Sequence, residues 1–286
     1  MTLRVRGLTF AYGQRPVLDG IDLDLRAGEL CALFGPNGSG KSTLYRCILG
    51  HLRHGGTVTL DGTDLGRLRP AEVARRVSYV PQQHTNPFPF TVLDMVLMGR
   101  TPHLGGVFGP RRRDVAACER VLEQVGLAAD RDRYYHTLSG GQRQLVLIAR
   151  ALAQDCDVLL LDEPTASLDF GNQMWVWRTV RDLARAGRAV LVCTHEPNHV
   201  LWFCDRVVAL GRQGRLLADG TPREMVTTDL VTRLYPSVGA LTTSTDVTIA
   251  PTDARSGRTG GRGRRDAAVC PSAAGEDQSS TGAQGR

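Results

Sequence analysis

Apolar positions along the 286-residue chain fall into two patterns. Near the N-terminus they alternate with polar ones. Leu3 to Phe10 reads as a strand, and Ile21, Leu23 and Leu25, interleaved with Asp22, Asp24 and Arg26, read as a second, half-buried strand. Together they predict an antiparallel sheet. Elsewhere the apolar runs are nearly continuous: 29–34, 77–81, 158–163 and 189–195. Strands buried on both faces look like this and belong to a parallel sheet. Shorter pieces fill the gaps. Thr57 to Gly62 is a strand running into a turn, Pro70 to Arg76 a short helix, and Val207–Leu210 with Leu216-Leu217 a hairpin around Gly211 to Gly214. Thr221-Pro222-Arg223-Glu224 predicts a capping box for the last helix.

Between the second and third buried strands the pattern changes. Gln83 to Phe90 is rich in proline and asparagine, and then Val92–Met98, Asp114–Val125 and Gly140–Ala153 carry helical spacing without strands. This predicts a helical insertion of roughly 70 residues. The expected organisation is an α/β core at about 1–82 and 157–241, a helical subdomain at about 83–156, and a tail at 242–286. The tail has almost no large apolar residues and is expected to be disordered.

The chemistry begins at Gly35-Pro36-Asn37-Gly38-Ser39-Gly40-Lys41-Ser42-Thr43, which fits G-x-x-x-x-G-K-[ST], the phosphate-binding loop. A triphosphate needs a concave row of backbone N–H donors with no Cβ in the way, and Gly35, Gly38 and Gly40 leave that room. Lys41 can reach the β- and γ-phosphates, and the Ser42 hydroxyl can ligate Mg²⁺. The context agrees: a strand precedes the loop, and Ser42 to Leu52 follows as a helix with Leu44, Ile48 and Leu52 on one face. Lys41 is also the only lysine in the chain. A composition this averse to lysine has kept one where arginine's planar fork would not replace a compact ammonium.

The buried strands deliver further candidates at their C-terminal ends, where ligands gather in open α/β sheets. The run at 77–81 delivers Gln82. The run at 158–163 ends in Asp162, placed to hold Mg²⁺, and Glu163, placed to accept a proton from water or to orient it. That fully apolar strand is expected at the sheet centre, next to the phosphate loop. The run at 189–195 ends in His195, either structural or a donor beside a γ-phosphate. Pro197 then opens a helix. Tyr12 ends the first strand and either stacks on a purine or caps the sheet edge. Ser139, with Gly140, Gly141 and Gln142, starts an apolar helix and makes a second anion site. Two such devices mean either two phosphates in one site or a site serving another copy's nucleotide.

Composition narrows the class. The net charge of +6 is mild and weak evidence for nucleic acid, and Arg111-Arg112-Arg113 reads as a solvated loop. The seven cysteines form no C-x-x-C pair and read as reduced core residues. No stretch is long and apolar enough to span a membrane, and the N-terminus has no signal-peptide core. The expected location is cytoplasmic.

Over roughly residues 2–236 these motifs together resemble the ATP-binding subunit of ABC transporters. The resemblance implies roles. The phosphate loop is 35–43, Leu138–Gln142 is the signature, and Asp162 and Glu163 are the magnesium and catalytic acids. Gln82 matches the glutamine that bridges magnesium and the membrane partner, Tyr12 the adenine-stacking aromatic, and His195 the switch histidine. Ser167-Leu168-Asp169 matches the loop that crosses to the other subunit, and Glu196 stands where many relatives carry aspartate. The implied machine is a head-to-tail dimer. Lys41, Ser42, Gln82, Asp162, Glu163 and His195 of one copy face Ser139 and Gly141 of the other across ATP and Mg²⁺. The implied membrane partner is a polytopic permease on the cytoplasmic face, served by an extracytoplasmic substrate-binding protein. Pro81-Gln82-Gln83 and the segment from Thr91 to Arg100 look like subunits of iron–siderophore, haem, cobalamin or molybdate importers, with a metal chelate favoured. Rivals are an exporter subunit, which often carries fused membrane helices, and a soluble ATPase acting on nucleic acid or ribosomes, which usually has two such domains. A binding-only pseudo-enzyme is opposed by Glu163 and His195.

Overall fold

The computed structural model describes residues 1–82, 88–104, 109–166 and 168–236. The expected tail at 242–286, Gln83 and Ser167 lie outside the described residues. In chain order, β1 (Thr2–Tyr12) and β2 (Arg15–Arg26) pair antiparallel, with Leu3, Val5, Leu8, Ile21, Leu23 and Leu25 buried. β3 (Leu30–Phe34) is buried throughout and leads through the phosphate loop to α1 (Lys41–Ile48). That helix stops short of the expected Leu52. Gly50 takes φ +72°, and His51 N–H donates to the Arg46 carbonyl, closing the helix. β4 (Gly55–Leu60) and β5 (Thr63–Asp64) extend the first sheet to the order β2-β1-β4-β5.

Next come α2 (Pro70–Val73), one turn shorter than expected, and β6 (Val77–Val80). The helical stretch follows with α3 (Val92–Leu97), α4 (Arg112–Gln124) and α5 (Gly140–Ala153). Thr91 and Asp94 cap α3 reciprocally, each side chain accepting the other's backbone N–H. Arg100 ties the helices together, reaching the buried Asp114 at 3.2 Å and donating to the Ala153 carbonyl at 2.9 Å. Then β7 (Val158–Asp162), α6 (Phe170–Arg185), β8 (Ala189–Thr194) and α7 (Pro197–Phe203) build the core. β9 (Arg206–Leu210) and β10 (Leu216–Gly220) form the expected hairpin.

Two expectations are corrected. α8 (Pro222–Met225) is a single turn, and α9 (Thr228–Leu234) follows it, so Thr221 does not cap the last helix. The Thr221 hydroxyl donates to the Glu224 carboxylate at 2.7 Å instead of accepting a backbone N–H, while Thr227 caps α9. The second sheet runs β10-β9-β3-β8-β7-β6. β7 is therefore not next to the strand of the phosphate loop; β8 lies between them, paired in parallel with both. Both strands are buried throughout and apolar up to a polar last residue, so their pattern could not rank them.

Alternation within these strands divides the interior. Leu159, Leu161, Val190 and Val192 face a core shared with Met95, Leu145, Ile148 and Trp177 of the helices. Val158, Leu160, Leu191 and Cys193 face the other way, onto Leu44 and Ile48 of α1 and the first sheet. Cys31, Cys47, Cys118, Cys156 and Cys193 are buried free thiols, as expected. Among the described residues no helix is long and apolar enough to cross a membrane.

Candidate functional site

The loop between β3 and α1 folds tightly around its lysine. A Cβ on Gly35 would overlap the Leu210 carbonyl, and Gly40, at φ +105°, would push one to 2.9 Å from Leu18 Cδ2. Lys41 turns inward, 5% exposed, and its Nζ donates to the carbonyls of Gly35 at 2.9 Å and Pro36 at 3.1 Å. Ser39 is buried, and its Oγ has no hydrogen-bond partner among the described residues. Over this loop opens a cleft of 430 Å³, lined by Tyr12, Arg15 and Val17, by Asn37, Gly38, Gly40, Lys41, Ser42 and Thr43, and by Gln82 and Glu163. Tyr12 is half exposed, its ring edge-on to Phe10 at 4.8 Å.

The strand ends converge on one carboxylate. Chain direction breaks after Asp162: Glu163 takes φ +45° and donates its N–H to the Cys193 carbonyl at 3.2 Å. This left-handed turn at a bulky residue is strained backbone held by its surroundings. It presents a nearly buried carboxylate to three partners. Lys41 Nζ lies 3.4 Å from Oε1, Gln82 Nε2 donates to Oε2 at 3.0 Å, and His195 Nδ1 lies 3.5 Å from Oε2. His195 is partly exposed, with Glu196 Oε1 at 3.6 Å from Nε2.

Asp162 is 4% exposed and receives a hydrogen bond from Tyr79 Oη at 3.3 Å. Burial, with Asp162 alongside, holds the Tyr79 phenol above its ordinary pKa, so it remains a donor. No ion pair reaches Asp162 among the described residues. Tyr45, buried on α1, donates to the carbonyls of Leu161 at 3.2 Å and Leu191 at 2.8 Å. One hydroxyl thus ties the helix after the loop to the strands carrying Asp162 and His195.

The second anion device stands elsewhere. Ser139 caps α5: its Oγ accepts the Gln142 N–H at 3.3 Å, and Gln142 Oε1 accepts the Ser139 N–H at 3.1 Å. Ser139 and Gly140 are exposed, whereas Gly141 is buried against Asn172, where a Cβ would come within 2.7 Å of Cγ. Asp169 caps α6 and grips the same Asn172, accepting its backbone N–H at 2.9 Å and its side-chain amide at 2.6 Å. Ser139, Gly140, Gly141, Gln142 and Asp169 are not among the residues lining the cleft. Within one chain the two devices do not share it.

Sequence reasoning missed Arg15, Val17, Tyr45, Tyr79 and Asn172. Asn172 carried a signal, since it stands three residues after a capping aspartate. Tyr79 and Tyr45 carried none, because their hydroxyls act across the sheet.

Comparisons with known proteins identify the family. The family model described as ABC transporter matches residues 18–166. The chain belongs to the ABC transporter family. It is 44% identical to a hemin import ATP-binding protein of Nocardia farcinica, over 82% of this chain and 83% of that one. It is 40% identical to a cobalamin import ATP-binding protein of Halobacterium salinarum, over 85% of this chain and 63% of that one. Among solved structures it resembles a metal-chelate type ABC transporter in an inward-facing conformation, with a TM-score of 0.73 and 34% identity over 82% of this chain and 89% of that one. As an ABC ATP-binding subunit the chain binds ATP and is an ATPase coupled to transport.

Proposed function

We propose that this chain drives import of a metal chelate such as hemin or cobalamin, acting as a head-to-tail dimer beneath a polytopic permease on the cytoplasmic face of the membrane. A separate extracytoplasmic substrate-binding protein supplies the permease, and nucleic acid has no part. The observation that carries the reading is the convergence of Lys41, Gln82 and His195 on the Glu163 carboxylate at the mouth of a phosphate loop. A site for splitting a terminal phosphate needs a carboxylate, a fixed cation and hydrogen-bonding side chains at that spot.

Each residue then has a task. Tyr12 stacks on adenine, and the loop 35–43 cradles the phosphates, with Lys41 on the β- and γ-phosphates. Glu163 orients the attacking water and takes its proton, while His195 and Gln82 bond the γ-phosphate end. Mg²⁺ fits the donors present. Asp162 is a buried carboxylate without an ion-pair partner among the described residues, and Ser42 and Gln82 add oxygen donors. No group of three or more His, Cys, Asp or Glu side chains forms a metal site among the described residues, which suits an ion shared with phosphates rather than one held by protein alone. When bound, Mg²⁺ neutralises charge developing on the phosphoryl oxygens.

Ser139 and Gly141, remote from their own cleft, serve the partner copy's nucleotide, with Gly140 and Gln142 shaping the turn and Asp169 holding the crossing loop. Identity to hemin and cobalamin import subunits supports the chelate. The test is co-purification of the tagged chain from gently solubilised membranes. Capture of a polytopic permease, in a complex whose ATPase activity rises with a hemin- or cobalamin-loaded binding protein, supports the reading; soluble partners or ribosomes alone overturn it.

A further inference from the structure

Asp162 ends β7 as a nearly buried carboxylate, and among the described residues no cation pairs with it. Its hydrogen bond comes from Tyr79, whose Oη lies 3.3 Å from Oδ2. The strand register explains the reach. β6 and β7 run parallel with Tyr79 beside Leu160, and Asp162 stands two residues beyond Leu160 on the same face. Two residues along a strand are about 7 Å, a span suited to a phenol and too long for serine or threonine. The phenol is itself held. Its ring packs edge-on to Tyr45, with centroids 6.0 Å apart and an interplanar angle of 79°. Tyr45 is fully buried and is fixed in turn by its bonds to the Leu161 and Leu191 carbonyls.

A neutral donor does here what a cation would not. Arginine or lysine at this spot would orient the carboxylate but also neutralise it, and so compete with a divalent ion. The phenol orients it at full charge. Carboxylates that ligate metals depend on such outer hydrogen bonds to keep their orientation. We propose that Tyr79 is a positioning residue for the metal site, its hydroxyl holding the Asp162 carboxylate for the Mg²⁺ of bound nucleotide. The inference rests on the ATPase reading, which is what gives Asp162 the metal.

Mn²⁺, a paramagnetic substitute for Mg²⁺, supplies the readout. Electron paramagnetic resonance can titrate it onto the full-length chain saturated with a non-hydrolysable ATP analogue. Tyr79→Phe keeps the ring and removes only the hydroxyl. It should weaken Mn²⁺ binding about fivefold, the worth of one ordinary hydrogen bond. Its affinity for the analogue in EDTA should match the parent's, which a general loosening of the site would not allow. In an Asp162→Ala background the same substitution should weaken Mn²⁺ no further, because the hydroxyl acts through that carboxylate. Tyr79→Met serves as a second variant without the hydroxyl if the phenylalanine variant does not fold. Parental Mn²⁺ affinity in these variants, an equal loss with and without Asp162, or a matching loss of analogue affinity in EDTA overturns the positioning role. Failure of the functional reading would look different: Asp162→Ala alone would leave Mn²⁺ affinity at the parental value, and the proposal would fall with it.

Discussion

Lys41 Nζ lies 3.4 Å from Glu163 Oε1, a contact between the chain's only lysine and a carboxylate held at φ +45°. The same carboxylate accepts from Gln82 and faces His195. Groups from four separate elements therefore meet at one point, and in the proposed mechanism Glu163 is the base that handles the terminal phosphate of a bound nucleotide. Replacing Glu163 with glutamine keeps the shape and removes the proton acceptor. Glu163→Gln is expected to bind ATP and to lose turnover by about 10²–10⁴-fold, the usual worth of a positioned base. Steady-state ATPase assays beside equilibrium nucleotide binding check this; hydrolysis at the parental rate would contradict the assigned role.

Tyr12 lines the cleft with half its surface exposed. Stacking of a base on an aromatic ring contributes about 1–3 kcal/mol by alanine substitution. Tyr12→Ala should weaken ATP binding by that amount, and Tyr12→Phe should bind like the parent. Titration with a fluorescent ATP analogue decides, and equal affinity in the alanine variant would make the ring a sheet cap only.

Gly99 is buried where the end of α3 meets α5, and a Cβ there would overlap the Arg150 carbonyl. Backbone cannot yield as a side chain can, so Gly99→Ala should cost about 1–3 kcal/mol of stability. Gly109, where a Cβ meets nothing within 4 Å among the described residues, is the control, and Gly109→Ala should stay within about 0.5 kcal/mol. Calorimetry on both variants separates helix packing from a general intolerance of alanine.

His199 carries a pH signature. Burial depresses its folded-state pKa below the ordinary histidine value of about 6.5. The unfolded chain then binds the proton first as pH falls, so the stability from keeping this ring neutral is full above about 6.5 and is lost below it. His199→Phe lacks that loss. Its stability relative to the parent should improve as pH drops from about 7 to about 5. Urea unfolding at several pH values measures it, and a flat difference would place the titration elsewhere.

Much of this site was legible in the sequence because its chemistry is local. The phosphate loop needs glycine and lysine at set spacing, and the strand ends carry Gln82, Asp162, Glu163 and His195 as bare apolar runs capped by polar residues. Relations across the sheet were not legible. β7 and β8 are equally apolar, so nothing in either says which neighbours the loop strand. Tyr45 and Tyr79 look like ordinary core aromatics until their hydroxyls are seen on Leu161, Leu191 and Asp162. The left-handed turn at Glu163 is imposed by the strands around it, and no propensity of glutamate announces it. The single-turn α8 and the true cap of α9 were missed because Thr221 and Thr227 both look like N-caps in sequence.

The central claim is a nucleotide site completed by a second copy, since Ser139 and Gly141 do not line their own chain's cleft. Sedimentation of Glu163→Gln with and without ATP tests it most directly. ATP should double the mass of the protein, and adding Ser139→Arg to the same chain should block the doubling while nucleotide still binds. A chain that binds ATP and stays monomeric, or dimerises equally with arginine at position 139, would contradict the account.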